Sequence, residues 1–302
     1  MPRRAFRVAY DGRPYYGFQR QPDVTTVEDE LFGALRRLDA FEGEKPPGYA
    51  AAGRTDAGVS ARAQTIAFDA PAWLTPSGLN SELSGPLRAW ATADAPPAFH
   101  ATHDANWREY RYFWLAPERS EGAERASSEG RGPSDHSSGR SPREDGEERP
   151  ASHAGDEDET RARRALDRLL GEHDFHNLTP DDANTVRELS GGIERAGDFL
   201  VVTLRASGFC RELVRRVVAL VQAVAGGDDF ERVDRLLAAE PIEGPEGVTP
   251  APPGPLVLHG VDYDLDFAAD ANALAATRAM FADLREQRRA RARAAGHVAD
   301  SL

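Results

Sequence analysis

The sequence predicts an α+β fold with a largely antiparallel sheet. Segments of alternating apolar residues, such as 5–10 (AFRVAY), Trp107–Leu115 and Phe199–Ala206, read as strands. Other segments repeat apolar residues at helical spacing, as Val27, Leu31, Leu35 and Leu38 do. The two kinds follow each other without the strict strand–helix–strand alternation of a parallel α/β sheet. At 302 residues, 40% of them hydrophobic, the chain can bury one large core or two smaller ones.

In order along the chain, Phe6, Val8 and Tyr10 mark the first strand. The loop DGRPYYGFQRQPD follows, and Thr25-x-x-Glu28 resembles a capping box opening the first helix. The glycine-flanked bend AAGRTDAGV (residues 51–59) suits neither a helix nor a strand. Beyond it, 65–69 reads as a strand, 79–83 as a short helical turn, and 87–93 as a strand. WREYRYFWL (Trp107–Leu115) is a strong strand with arginines beside aromatics. The second half opens with an Arg/Leu helix over 161–170 and the loop GEHDFHNLT. Residues 185–195 and Phe199–Ala206 read as an antiparallel pair around Ala196-Gly197-Asp198. GFCRELVRRVVALVQAVAGG gives a helix with an apolar face and Arg211, Arg215 and Arg216 near its start. A helix over 230–239, a strand over 256–263 and an Ala/Arg-rich helical tail complete the chain.

Between the halves the composition changes abruptly. Residues 118–160 contain no Val, Ile, Leu, Met, Phe, Tyr or Trp, and carry thirteen acidic against six basic residues. Such a stretch has nothing to offset the entropy of ordering and is expected to be disordered. The expected organisation is therefore an N-terminal half (1–117), an acidic Ser/Gly-rich insertion (118–160), a C-terminal half (161–267) and a tail (268–302).

Composition excludes several chemistries. The single cysteine, Cys210, rules out an internal disulfide framework or a cysteine-rich metal site. Lys45 is the only lysine and sits in a loop, so neither a Schiff-base enzyme nor a GxxxxGK phosphate loop is available. HATH and HDFH each place two histidines three apart, but without a carboxylate motif they read as ordinary loop histidines, and no metal is expected. No apolar run approaches a membrane span and MPRRAFRVAYDG lacks an apolar signal region, so a cytoplasmic chain without membrane contact is expected. The net charge of −13 argues against non-specific nucleic-acid binding. That acid excess, with 36 of 37 basic residues arginine, points to a high-salt cytoplasm; an arginine-rich codon bias explains part of it equally well.

Within AAGRTDAGV, Thr-Asp-Ala-Gly is good turn chemistry, and most isolated matches are only turns. Arg54, two residues before Asp56, offers a guanidinium to hold the carboxylate ionised, and Gly53 and Gly58 let a planar ligand approach the backbone.

Four segments in order resemble the tRNA pseudouridine synthase A (TruA) family: YDGRPYYGFQRQ (10–21), AGRTDAGVSARAQ (52–64), FHATHDANWREYRY (99–112) and GFCRELVRR (208–216). The resemblance implies two ferredoxin-like halves forming a largely antiparallel sheet, with helices on one side and a central RNA-binding cleft. It implies isomerisation of uridine to pseudouridine in the anticodon stem-loop of tRNA, at positions 38 to 40, without a cofactor. By the same resemblance Asp56 is the nucleophile, Tyr110 stacks on the target base, Arg54 lies beside the flipped nucleotide and Arg215 pairs with Asp56. It also implies a homodimer whose subunits jointly hold the tRNA. Ser60, Leu213 and Arg216 stand where the family usually has His, Met and Asn. A non-catalytic tRNA-binding paralogue is the alternative; a sugar-directed glycosidase would need a second carboxylate that the motif lacks.

Overall fold

The computed structural model describes residues 1–116, 151–242 and 247–302. The chain enters through β1 (Arg3–Tyr10), whose inward residues Phe6 and Tyr10 are fully buried. Helix α1 (Val27–Arg37) buries Val27, Leu31 and Leu35, as the stripe requires. Its cap lies one residue later than expected: the Thr26 hydroxyl accepts from the Asp29 amide at 3.2 Å and donates to the Asp29 carboxylate at 2.7 Å. Glu28, the expected box partner, instead accepts from the Arg20 amide.

The two-residue β2 (Ala50–Ala51) precedes the aspartate bend, and β3 (Ser60–Asp69) leaves it, five residues before the expected start. Helix α2 (Pro76–Asn80) is capped by Thr75, and β4 (Leu87–Asp94) and β5 (Trp107–Leu115) follow. Helix α3 (Ala151–Leu169) begins ten residues before the expected position. The stretch 151–160, expected to be structureless, is therefore helical, and Glu159 anchors it by pairing with Arg163 and Arg195. The rest of the expected insertion, 118–150, lies outside the described residues. β6 (Gly171–Asp174), a single 3-10 turn (His176–Leu178), β7 (Val186–Ala196) and β8 (Phe199–Ala206) come next. The β7–β8 hairpin closes on Gly197, which takes the positive φ its tight turn needs. Helices α4 (Leu213–Ala225) and α5 (Glu231–Leu236), strands β9 (Leu256–Asp262) and β10 (Ala268–Ala269), and α6 (Ala271–Asp300) complete the fold.

Among the described residues, ten strands join in one mixed sheet, ordered β10-β4-β1-β3-β9-β5-β8-β7-β6, with β2 also on β3. Every pairing is antiparallel except β3–β9, where Ser60 faces Val257 and Ala61 faces Leu258. One edge of β3 is thus shared, by β2 at Ile66 and Ala67 and by β9 at Ser60 and Ala61. The loop 52–59 emerges between those two partners.

Two hydrophobic cores flank this seam. The first gathers Phe6, Leu31, Leu35, Phe68 and Leu79; the second gathers Leu166, Phe175, Val217 and Val221. They interleave along the chain, because β9 gives Leu258 and Val261 to the first while β5 gives Tyr112 to the second. Tyr110 packs against both.

Helix α6 is tied down at its start. Asp270 caps it by accepting from the Ala273 amide at 3.0 Å, and also accepts from the Ser77 amide and hydroxyl at the head of α2. Those bonds, the Ala273 amide foremost, hold the Asp270 carboxyl below its ordinary range. A depressed folded-state value stabilises above the unfolded pKa and is lost as pH falls through the folded one. Asp270→Ala is expected to cost about 1 kcal/mol at pH 7. In urea melts at fixed high salt, the gap to wild type should close as the pH drops below about 4.

Candidate active site

The loop 52–59 is held from several sides. The Ala52 carbonyl accepts twice from the Arg108 guanidinium, at 2.9 and 2.7 Å, and the Gly53 carbonyl accepts from the Gln64 side chain at 2.9 Å. The buried Thr55 hydroxyl meets the Tyr10 hydroxyl at 2.8 Å, and its carbonyl accepts from the Phe18 amide. The Val59 amide closes a turn onto the Asp56 carbonyl at 3.1 Å. Gly58 sits at φ +83 with its α-carbon turned toward Pro253, where a Cβ would meet the ring at 3.2 Å. Gly12 is needed for a different reason: a Cβ there would lie 2.0 Å from the Val59 carbonyl oxygen. Two glycines far apart in sequence thus let three segments close around one aspartate.

Asp56 accepts a charge-assisted hydrogen bond from Arg215 Nη1 at 3.0 Å. Arg215 comes from the first turn of α4, and its side chain is 13% exposed, against 35% for Asp56. Its Nε donates to the Ala251 carbonyl at 2.7 Å, while its own carbonyl accepts from the Ala251 amide. The guanidinium is therefore fixed by protein on one edge and presents the other to the carboxylate. The backbone pays for the approach just upstream, where Glu212, a non-glycine, adopts φ 60. Its carboxylate is occupied by Arg216 at 2.7 Å. Arg54, read from the sequence as a partner for Asp56, makes no such bond. It is exposed on the cavity wall, and among the described residues it has no hydrogen-bond or ion-pair partner. The partner that the fold supplies lies 159 residues away.

Tyr110 stands in β5 beside this pair, edge-on to Phe209 with ring centroids 5.2 Å apart. Burial, and then the negative charge of Asp56, push its phenol up to about 12. It is neutral at any ordinary pH. Asp56, Arg54, Tyr110, Phe209 and Arg215 line one open cavity of about 1750 Å³. That exceeds the roughly 300–1,000 Å³ of small-ligand clefts, and its open form suits a ligand entering as part of something larger. All four site residues expected from the sequence reach this cavity.

Two contributors were not singled out from the sequence. Phe209 supplies the aromatic edge against Tyr110. Arg108 is a buried guanidinium without a carboxylate partner among the described residues; it donates to the carbonyls of Ala52, Thr102 and Ser207. It thereby joins the aspartate loop to the segment that leads into Phe209 and Arg215. Burial lowers its pKa. A signal for it exists: in WREYRY, Arg108 shares its parity with Tyr110 and Tyr112 and so faces inward. Ser60 accepts from the Gly12 amide at 3.1 Å and contacts the buried Asp11 carboxylate. His100 and His103 stack at 4.3 Å, and among the described residues no group of three potential ligands assembles for a metal.

A family model described as tRNA pseudouridine synthase matches residues 165–264. A protein of Halobacterium salinarum called tRNA pseudouridine synthase A is 57% identical over 300 residues, covering 99% of both chains. One of the same name from Haloarcula marismortui is 50% identical, covering 99% of this chain and 100% of its own. Another from Methanothrix thermoacetophila is 34% identical, over 88% of this chain and 85% of its own.

Arg108→Met keeps the apolar stem but leaves the three carbonyls without their donor. The expected loss is about 3 kcal/mol in urea melts, since each unsatisfied buried group costs roughly 1–3 kcal/mol and neighbours relax. Hydrogen exchange should rise locally at 52–59 and 207–212. An unchanged exchange map would remove Arg108 from the support of the site.

Proposed function

Because the chain belongs to the tRNA pseudouridine synthase A family, we propose that it isomerises uridine in the anticodon stem-loop of tRNA, with Asp56 as the catalytic carboxylate. The observation that carries this is the Asp56–Arg215 pair on the wall of an open cavity beside Tyr110. The reaction breaks the N1–C1′ bond, turns the uracil and joins C5 to C1′, releasing the C5 hydrogen as a proton while N1 gains one. No redox or phosphoryl step occurs, and no cofactor is required.

A carboxylate serves such chemistry as a nucleophile or as a partner to a cationic sugar. Arg215 keeps Asp56 aimed, and its own fixation by Ala251 means that little reorganises during the reaction. The target base must leave its stack to reach Asp56, and the neutral ring of Tyr110, braced by Phe209, offers a replacement platform. In this reading Arg54, exposed on the cavity wall, lies beside the flipped nucleotide and meets its phosphate. The two cores on either side of the seam correspond in this reading to two ferredoxin-like halves, with the cavity as the central cleft. A homodimer whose subunits jointly hold the tRNA belongs to the same reading.

The test separates chemistry from binding. Asp56→Asn keeps the shape but removes the charge, so tRNA binding on filters should persist or tighten slightly, with less repulsion of phosphate. Tritium placed at uridine C5 should pass into water with wild type, and at least a thousandfold more slowly with the variant. Comparable release by Asp56→Asn would remove Asp56 from catalysis; no release by wild type from any tRNA would overturn the activity.

Arg215→Lys should also fail. A lysine cannot reach Asp56 and the Ala251 carbonyl together, so kcat is expected to fall by 10²-fold or more while the protein stays folded by circular dichroism. Near-wild-type turnover would show that only the positive charge matters.

A further inference from the structure

We infer that the far end of α6 is a second tRNA-contacting surface, a cationic arm held against the aspartate loop and reaching the phosphate backbone outside the cavity. This inference rests on the proposed substrate.

Helix α6 runs thirty residues, about 45 Å at 1.5 Å per residue. Only its start is buried, through Ala273 and Thr277. At 100° per residue those two share a face with Phe281, Leu284 and Arg288. Arg288 donates to the buried carboxylate of Asp11, whose neighbour Gly12 lies against Val59 at the end of the aspartate loop. Asp11 also contacts Ser60, the first residue of β3. The helix is thereby clamped beside the catalytic loop, and a further twelve residues, about 18 Å, project beyond the clamp.

A second face, centred about 120° round the helix, carries a stripe of charge. Arg278, Arg285, Arg289 and Arg293 fall within about 80° of one another, and all four are exposed. Over 285–296 there are five arginines against one acid, Glu286, in a chain whose net charge is −13. Glu286 shares Arg285 and Arg289 in exposed pairs, which are worth little. Among the described residues, Arg278 and Arg293 have no ion-pair partner. A cationic stripe on an otherwise acidic protein matches a polyanion, and the proposed tRNA substrate is the polyanion that the cavity would bring to the molecule. In molar salt the Debye length is about 3 Å, so such contacts must be direct, and a guanidinium fork makes them better than an ammonium.

The experiment changes Arg278, Arg285, Arg289 and Arg293 to Gln together, leaving Arg288 and the cavity intact. These exposed positions carry no packing, and circular dichroism checks the fold. With C5-tritiated tRNA transcript in molar KCl, where the whole-protein field is screened, KM should rise at least tenfold while kcat stays within twofold. Filter binding across the KCl range in which both proteins stay folded should show the slope of log affinity on log salt reduced by roughly three, at about 0.7–0.9 per phosphate contact. Lysine at the same four positions should recover only part of the affinity at the highest salt. Unchanged KM and slope would overturn the inference, as would a loss confined to kcat, which would make the stripe structural. If wild type binds tRNA but releases no tritium, the proposed reaction fails while the binding slopes still decide the arm.

Discussion

The parallel seam between β3 and β9 is the constraint on which the rest of the molecule depends. It is only two residue pairs long, Ser60 with Val257 and Ala61 with Leu258, and it is the one place where the sheet is not antiparallel. The aspartate loop ends at its first residue. Five residues before Leu256, Ala251 fixes Arg215, and Pro253 rests against Gly58. The segment that forms the seam therefore also sets the height of the arginine and the wall of the loop. A slip of one residue would turn every side chain of β9 to the other face and withdraw Leu258 and Val261 from the first core. The two cores hold the register, and the register holds the ion pair.

That ordering of cause matters, because the ion pair contributes little to holding the cores. Two unit charges at about 4 Å attract by about 4 kcal/mol at an effective dielectric of 20. Desolvating a guanidinium that is 13% exposed takes back an energy of the same order. The net is small, and the pair serves to orient Asp56 rather than to join the two cores. Its asymmetry follows from the same logic. The arginine is bonded on both edges and shielded, while the carboxylate keeps a third of its surface open to the cavity.

Periodicity reads local structure well and long-range partners poorly. The alternation in AFRVAY and WREYRYFWL located β1 and β5, since the sheet buries every second residue whatever lies beyond it. The stripe Val27, Leu31, Leu35 likewise located α1. Its cap position is ambiguous in the sequence, because TTVED offers two threonines, each three residues before an acid. Arg20, arriving from the loop, takes up Glu28 through its amide and Asp29 Oδ1 through its guanidinium, leaving Asp29 Oδ2 to the Thr26 hydroxyl. The start of α3 is illegible in the sequence for a related reason. Residues 151–160 have no apolar stripe, and one contact that ties them down is Glu159 reaching Arg195 in strand β7. At the site, nearness in sequence favoured Arg54 for Asp56, whereas closure of the sheet brings Arg215 from 159 residues away. Resemblance named Arg215; no spacing rule does.

Charge finally explains why arginine carries the oriented contacts at the site, while Lys45, which also lines the cavity, only rests over the Tyr49 ring. An acidic chain that engages a polyanion in concentrated salt cannot use its long-range field, which is of the wrong sign and screened within a few ångströms. What remains is contact chemistry, in which geometry replaces charge as the source of strength. Arg108 shows this inside the protein, where a planar fork satisfies three carbonyls with no counter-ion among the described residues. Arg215 shows it at the site, where two edges of one guanidinium serve two acceptors. A lysine at either place would keep the charge and lose the fork. The composition that first argued against nucleic acid therefore does so only for attraction at a distance. It leaves open recognition built from a few short, oriented bonds, the kind that this cavity displays.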